Sequence, residues 1–199
     1  MVGAFINKVM EIEEQKLKGV LLISPKIYKD ERGFFLETYR ESFLREIGIP
    51  QLVQHNQSRS NYGVLRGLHF QKNSPQGKLI RVSKGAIFDV AVDIRFQSET
   101  FGKWFGTILD DQKHQQLWIP PNFAHGFLVL SSLADVHYSC SNYYDPSSEK
   151  GILWNDSELS IKWPKLLNNS KPFLSNKDEQ NILLREFDQN DLPEYISKI

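Results

Sequence analysis

Hydrophobic and polar residues alternate in short runs through most of the chain, a pattern typical of β-strands rather than helices. The runs lie between Gly19 and about Ile161, and most are bounded by Gly, Pro, Asn, Asp or Ser, which favour turns. They are GVLLISPKIY, GFFLETY, GVLRGLHFQ, KLIRVSKGAIFDVAVDIR, WFGTILD, QLWIP, HGFLVLSS, DVHYSCSNYY and LSIKWP. Many short strands without intervening helices predict an all-β sandwich or barrel.

Three segments have helical character, and they predict a few short peripheral helices around the β-fold. They are the polar start from Asn7 to Lys16, the stretch YRESFLREIG and, near the end, SNKDEQNILLREF. In the last segment Ser175 is a candidate N-cap, with Asp178 three residues later.

Length and composition indicate one globular domain over residues 1–199, with an N-terminal extension over 1–18 and a surface tail over 188–199. The 24 basic residues balance 24 acidic ones, so neither nucleic acid nor an anionic membrane is an expected partner. The apolar runs are too short to span a bilayer, and charged residues come too early in the N-terminal MVGAFINKVMEIEEQ for the apolar region of a signal peptide. The single cysteine, Cys140, fits packing in a reducing compartment, and we expect a cytoplasmic protein.

The strand NYGVLRGLHFQ carries two polar residues inside an apolar run. Strict alternation predicts that His69 faces one side of this strand and Arg66 the other. A buried histidine or arginine needs a hydrogen-bonding partner, which either the core or a ligand must supply. Together with Lys78 and Arg81 these residues could form the basic lining of a β-barrel, although a structural histidine with solvated cations fits the same spacing.

Three further stretches hold candidate site residues, each with a structural alternative. His125 in IPPNFAHGFLVL is expected in the core or at a barrel mouth. In DVHYSC, Tyr138 faces away from His137 and is either a proton donor or a packing residue. In DERGFFLETY, Arg32 and Glu37 flank two phenylalanines, a combination that suits a nucleotide and equally an ordinary hairpin tip.

A metal site is not predicted, although inward histidines of β-barrels often bind transition metals. The residue two positions after His69, on the same face, is Gln71, and the next acidic residue is Asp89. A site built on His69 and His125 would therefore lack at least one good ligand.

A set of ordered motifs extends over roughly Gly19 to Phe187: DERGFFLETY, QHNQSRSNYGVLRGLHFQ, GKLIRVSKGAIFDVAVDIR, SETFGKW, WIPPNFAHGFLVLS, YSCSNYYDPSSEKGILWND and LSNKD. In order and spacing they resemble the dTDP-4-dehydrorhamnose 3,5-epimerase family. This resemblance implies a cupin-type β-sandwich or jelly-roll barrel. It also implies an enzyme that needs no cofactor and binds a dTDP-sugar.

The resemblance implies inversion of carbons 3 and 5 of dTDP-4-dehydro-6-deoxy-D-glucose, through an enolate, to give dTDP-4-dehydro-L-rhamnose. In this reaction His69 corresponds to the catalytic base, Asp178 to its partner, Tyr138 to the proton donor and Lys78 to a lysine near the keto group or phosphates. The implied substrate-binding residues are Arg32, Phe34, Glu37, Gln54, Asn56, Arg66, His125, Glu149 and Lys177.

The resemblance also implies a homodimer in which an N-terminal strand crosses to the partner, so that Arg32 and Phe34 complete the neighbouring site. Three alternatives remain open at this point. They are a single-centre epimerase or ketoisomerase on a related dTDP-4-keto sugar, a non-catalytic cupin that binds a sugar nucleotide, and a metal-dependent cupin oxygenase.

Overall fold

The computed structural model describes residues 5–6 and 10–195, which form a strand-rich fold. The strands are β1 (Phe5–Ile6), β2 (Met10–Glu14), β3 (Leu21–Pro25), β4 (Ile27–Asp30), β5 (Gly33–Leu36), β6 (Gln54–Asn61), β7 (Leu65–Gln71), β8 (Lys78–Lys84), β9 (Ala86–Asp93), β10 (Trp104–Asp110), β11 (Gln116–Ile119), β12 (Phe123–Val129), β13 (Leu133–Cys140) and β14 (Glu149–Gly151). The α-helices are α1 (Glu41–Glu46) and α2 (Asn176–Glu179), and short 3₁₀ helices span Leu167–Asn169, Leu184–Glu186 and Gln189–Asp191.

Two antiparallel sheets form the body of the protein. The larger sheet has the strand order β1-β2-β3-β11-β8-β13-β6, and the smaller has the order β10-β9-β12-β7-β14. Strands β4 and β5 form a separate hairpin that is hydrogen-bonded to neither sheet. This architecture confirms the predicted all-β fold class with short peripheral helices.

The main core lies between the two sheets. Ile80 of β8 and Val136 of β13 pack in one cluster with Ile87 and Ala91 of β9, and all four side chains are fully buried. Apolar residues at every second position of these strands produce this arrangement, because successive side chains point to opposite faces.

A second core covers the outer face of the smaller sheet, which explains why every residue of β12 is buried. Residues from the C-terminal third of the chain supply this cover, including Ile152 and Leu184. Leu192, within the segment predicted to be a surface tail, is also buried in this cluster. The described part of this tail, residues 188–195, is therefore anchored by an apolar contact that its polar composition concealed.

The N-terminal prediction of a helix over Asn7–Lys16 is wrong. Met10–Glu14 form β2, which pairs with β3, and residues 7–9 lie outside the described part of the chain. Met10 and Ile12 are buried while Glu11 and Glu13 are exposed, which is the period of a strand. This part of the predicted extension is thus built into a core cluster with Ile23 of β3.

The predicted helix near the C-terminus is shorter than its sequence pattern suggested. Only α2 is α-helical there, and Ser175 caps it by accepting a hydrogen bond from the Asp178 backbone N–H at 3.1 Å. Beyond it Ile182 forms a β-bridge with Ile152, so the chain is extended where a helix was expected. No helix within residues 5–6 and 10–195 has the length and apolar character needed to cross a membrane.

Candidate active site

A cavity of about 370 Å³ opens between the two sheets. One wall is built by β6, β8 and β13 of the larger sheet, and the other by β7, β12 and β14 of the smaller sheet together with α2. The lining residues are Gln54, Asn56, Ser58, Arg66, His69, Gln76, Lys78, His125, Phe127, Tyr138, Tyr144, Glu149, Ser175, Lys177 and Asp178.

Most of the site residues expected from the sequence meet in this cavity. They are His69, Lys78, Tyr138, Asp178, Gln54, Asn56, Arg66, His125, Glu149 and Lys177. These residues come from six strands and one helix, so the fold brings together groups that are far apart in the chain.

Arg66 and His69 both line the cavity, contrary to the strict alternation expected along β7. The reason is an irregularity against β12, where His125 pairs with His69 and Phe127 pairs with Arg66. Three steps along β7 therefore match two steps along β12, as in a β-bulge. The extra residue turns both polar side chains toward the same side.

Two glycines allow this bulge because the backbones of β7 and β12 approach closely there. Gly67 has φ +123°, and a Cβ on it would lie 2.5 Å from the Cα of Gly126. A side chain would therefore be strained by its φ and would overlap the neighbouring backbone.

His69 and Asp178 form a direct pair. His69 Nε2 lies 2.5 Å from Asp178 Oδ1, and Asp178 is only 3% exposed. Burial raises the pKa of Asp178, but the hydrogen bond and charge of His69 outweigh it, so the pKa lies below its ordinary value. When the ionised carboxylate accepts a hydrogen bond from Nε2–H, Nδ1 keeps the lone pair that a general base needs.

His125 has a carboxylate partner as well, although the sequence interpretation did not assign one. Its Nε2 lies 2.9 and 3.1 Å from the two oxygens of Asp89, whose side chain is fully buried. The sequence did contain a signal for this pair. Asp89 lies inside the apolar run AIFDVAVD, and a buried aspartate requires a partner.

Lys78 projects into the cavity from β8, and the described residues include no ion-pair partner for its ammonium. Burial lowers the pKa of Lys78, against smaller opposing effects from Cys140 and Glu149. A poorly solvated cation of this kind can stabilise a negative charge that develops on a bound molecule.

Tyr138 lies on the wall opposite His69. It pairs in register with Asn56, and burial raises the pKa of its phenol, so the hydroxyl keeps its proton at neutral pH. The preceding residue, His137, faces the other side of the sheet, where its Nε2 lies 2.8 Å from Ser83 Oγ. Alternation along β13 thus places a proton donor inside the cavity.

A polar cluster borders the cavity near β14. Lys177 pairs with Glu149, and the Tyr144 hydroxyl donates to Glu149 at 2.8 Å. Burial raises the pKa of Glu149, but its hydrogen bonds from Lys177 and Tyr144 bring it below the ordinary value. Tyr144, which the sequence interpretation missed, leaves half of its surface exposed beside the cavity. Gln76 and Ser58 are further lining residues that were not anticipated.

Three expected binding residues lie outside the cavity. Arg32 pairs with Asp30 at 2.5 Å on the surface, and Glu37 pairs with Arg40 at 2.6 Å. Phe34, on β5, is 59% exposed. Within one copy of the chain these residues do not join the site.

Among residues 5–6 and 10–195 there is no group of three or more His, Cys, Asp or Glu side chains placed to hold a metal ion. The two histidines of the cavity instead have separate carboxylate partners, Asp178 and Asp89.

Comparison with known proteins points to one family. The family model described as dTDP-4-dehydrorhamnose 3,5-epimerase matches residues 14–186. The Escherichia coli K12 protein named dTDP-4-dehydrorhamnose 3,5-epimerase is 48% identical over 180 residues, which cover 89% of this chain and 96% of that one. A Streptomyces niveus protein named dTDP-4-dehydrorhamnose 3-epimerase is 40% identical over 190 residues, covering 94% and 90% of the two chains.

The fold has a similar match among solved structures. A Legionella pneumophila dTDP-6-deoxy-D-glucose-3,5-epimerase, crystallised with dTDP-4-keto-L-rhamnose, superposes with a TM-score of 0.91. The two sequences are 48% identical, and the match covers 94% of this chain and all of the Legionella chain. This similarity confirms the expected cupin-type fold.

Proposed function

The chain belongs to the dTDP-4-dehydrorhamnose 3,5-epimerase family, and we propose that it converts dTDP-4-dehydro-6-deoxy-D-glucose to dTDP-4-dehydro-L-rhamnose. The observation that carries this proposal is the position of His69 and Tyr138 on opposite walls of one cavity. Inversion requires removal of a proton from one face of a carbon and its return to the other face. A base and an acid on facing walls can perform these two steps.

Proton removal is assigned to His69. A hydrogen beside a ketone is weakly acidic, so its abstraction needs a positioned base and a stabilised enolate oxygen. Asp178 orients the imidazole and stabilises the imidazolium that forms. Lys78 supplies the positive charge for the enolate oxygen. His125, whose Nε2 is held by Asp89, can donate from Nδ1 as a second donor when both ring nitrogens carry protons.

Proton return is assigned to Tyr138. Because burial raises its pKa, the phenol is protonated before the reaction and can donate to the enolate from the larger-sheet wall. Carbons 3 and 5 both flank the keto group at carbon 4. Once the imidazolium of His69 has released its proton to solvent and the phenolate of Tyr138 has regained one, the same base, acid and enolate site can serve the second inversion.

Binding of the nucleotide diphosphate is assigned to the cationic residues of the cavity and its border. Arg66 and Lys177 can bind phosphate oxygens, since guanidinium and ammonium groups form charge-assisted hydrogen bonds to them. The half-exposed ring of Tyr144 offers a surface on which the thymine base can stack.

A homodimer is the proposed assembly. It is supported by the β4–β5 hairpin, which bonds to neither large sheet and exposes Phe34 by 59% and Phe35 by 70%. Docking on a second copy would cover these rings and bring Arg32 to the partner's site. A sedimentation mass equal to that of one chain would contradict this assembly. A cytoplasmic location is also proposed, supported by the single unpaired Cys140.

The function is tested by proton exchange in heavy water with dTDP-4-dehydro-6-deoxy-D-glucose. We expect NMR to show deuterium entering at carbons 3 and 5, with formation of the rhamno product. His69→Ala is expected to abolish the exchange. Tyr138→Phe is expected to reduce product formation more than exchange, because abstraction still has its base. The surface variant Lys171→Ala is a control with unchanged turnover, since Lys171 is exposed and does not line the cavity.

A single-centre epimerase is the second candidate, supported by the similarity to the Streptomyces niveus protein named as a 3-epimerase. It predicts deuterium at one carbon only. A non-catalytic sugar-nucleotide-binding cupin predicts binding without exchange. A metal-dependent oxygenase predicts a stoichiometric transition metal, which elemental analysis of the purified protein would detect.

A further inference from the structure

Ser58 carries a buried hydroxyl that has no hydrogen-bonding partner among the residues that the structure describes. Its neighbours along β6 are satisfied: Asn56 accepts a hydrogen bond from Gln54 at 3.1 Å, and Ser60 accepts one from Arg66 at 3.1 Å. An unpaired buried hydroxyl destabilises a protein, and such groups are rare in folded proteins. The side-chain nitrogen of Asn181 also lacks a partner among the described residues, but of the two only Ser58 lines the cavity, where a bound molecule could supply one.

The position of Ser58 indicates where a partner would be. Ser58 lines the cavity, and it pairs with Val136 of β13, while Tyr138 pairs with Asn56. Ser58 and Tyr138 are thus diagonal neighbours on the same face of the sheet. Gln54, two residues beyond Asn56, accepts a hydrogen bond from the backbone N–H of Tyr144. In the row Gln54, Asn56 and Ser58, Ser58 therefore lies at the end away from Tyr144.

We propose that Ser58 is a substrate-binding residue whose hydroxyl forms a hydrogen bond with an oxygen of the hexose. This assignment rests on the proposed epimerase function and extends it to the sugar-binding contacts. A serine hydroxyl both donates and accepts, so it can pair with a sugar hydroxyl or a keto oxygen. A bound hexose would supply the partner that the described protein residues do not provide.

The first test is Ser58→Ala, measured for stability and for steady-state kinetics. In the free protein the substitution removes an unpaired hydroxyl, so the thermal midpoint is expected to stay unchanged or to rise. The kcat/KM is expected to fall roughly 5- to 20-fold, the usual effect of one lost hydrogen bond to a substrate. A fall in the midpoint with unchanged kcat/KM would show a structural hydroxyl and would overturn the proposal.

The matched control is Ser139→Ala on the neighbouring strand β13. Ser139 faces the other side of the sheet, where its Oγ lies 2.7 Å from His55 Nδ1, and it does not line the cavity. We expect this variant to keep the wild-type kcat/KM and to lose a little stability. This outcome is the reverse of that expected for Ser58→Ala.

A second test separates the hexose from the nucleotide and does not depend on turnover. Calorimetric titration with dTDP and with dTDP-glucose should show that Ser58→Ala weakens dTDP-glucose binding about fivefold or more and leaves dTDP binding unchanged. Equal weakening of both ligands, or of neither, would overturn the assignment. If the wild-type protein binds dTDP-glucose but catalyses no exchange, the epimerase function fails while the difference in affinity still decides the role of Ser58.

Discussion

His69 and His125 lie directly opposite each other on neighbouring strands β7 and β12. Each is bonded to its own buried carboxylate, Asp178 for His69 and Asp89 for His125. The cavity therefore holds two His–Asp pairs side by side rather than one histidine cluster that shares a ligand. This arrangement is consistent with the separate tasks that we propose, His69 as base and His125, with both ring nitrogens protonated, as a hydrogen-bond donor near the enolate oxygen.

Asp178→Asn is expected to lower kcat roughly 100-fold or more, within the range attributed to a general base. The amide removes the charge that stabilises the imidazolium of His69, and it favours the wrong imidazole tautomer. Deuterium exchange at carbons 3 and 5 should fall by the same factor as kcat, because both depend on proton abstraction.

Asp89→Asn is the matched comparison for Asp178→Asn. We expect a smaller loss of kcat, about tenfold, because His125 assists the enolate and does not abstract the proton. In the double variant the two factors should multiply if the pairs act independently. A larger loss for Asp89→Asn than for Asp178→Asn would reverse the assignment of the two histidines.

Gly67→Ala is expected to destabilise the fold by roughly 2–4 kcal/mol and to impair activity. Its Cβ would lie 2.5 Å from Gly126 Cα, so the bulge that turns Arg66 and His69 into the cavity cannot be kept. Chemical denaturation gives the stability, and turnover of the folded fraction gives the effect on the site.

Gly33→Ala is the control for the backbone strain in that prediction. Gly33 has φ +127°, close to that of Gly67, but a Cβ there would meet no atom within 4 Å. The Gly33→Ala variant is expected to lose about 1 kcal/mol of stability, because only the unfavourable backbone φ contributes there. If both variants lose the same stability, steric overlap with β12 is not what selects glycine at position 67.

The sequence predicts the fold class well because strand alternation depends on local periodicity, and most strands bury one face. The same rule fails for Arg66 and His69, since a bulge depends on the partner strand β12 and cannot be read along β7 alone. It fails again at Met10–Glu14, where glutamates that favour a helix conceal the period of two of a strand.

The site shows a similar division. His69, Tyr138 and Asp178 can be assigned from motifs, and the fold brings them to one cavity. Partners such as Asp89, and lining residues such as Ser58, depend on tertiary packing and have no distinctive motif. They become visible only when buried polar atoms and their bonds are followed through the structure.

Asp93→Asn is expected to lower the free energy of unfolding by about 3 kcal/mol at neutral pH, because it breaks an ion pair whose carboxylate is fully buried. Asp93 accepts bonds from Arg95, Ser98 and Thr100. Burial raises its pKa, but these bonds outweigh burial, so the pKa lies below its ordinary value.

The sign of the pH dependence follows from that lowered pKa of Asp93. A carboxyl group with a depressed folded-state pKa contributes stability above its unfolded pKa and loses it as the pH falls through the folded value. The stability difference between wild type and Asp93→Asn should therefore be constant near neutrality and shrink below about pH 4. A difference that persists unchanged to pH 2 would show that ionisation of Asp93 is not involved.

Lys78→Met is expected to lower turnover while it raises stability. Removal of the ammonium takes away the charge assigned to the enolate oxygen, so kcat should fall roughly 100-fold. In the free protein burial lowers the pKa of Lys78 below the ordinary 10.5, which means that the charged form is less favourable in the folded state than in the unfolded one. A lysine whose pKa is lowered by folding reduces stability at neutral pH, and its replacement should add about 1 kcal/mol.

The pH dependence separates this explanation for Lys78→Met from a simple gain in packing. The unfavourable effect of Lys78 is fully present below its folded-state pKa and disappears as the pH rises through the unfolded value. The stability advantage of Lys78→Met should therefore decrease toward pH 10 and above, whereas a packing gain would not change with pH. Because the variant should lose activity and gain stability together, a variant that loses both would place Lys78 in the structural framework rather than in the reaction.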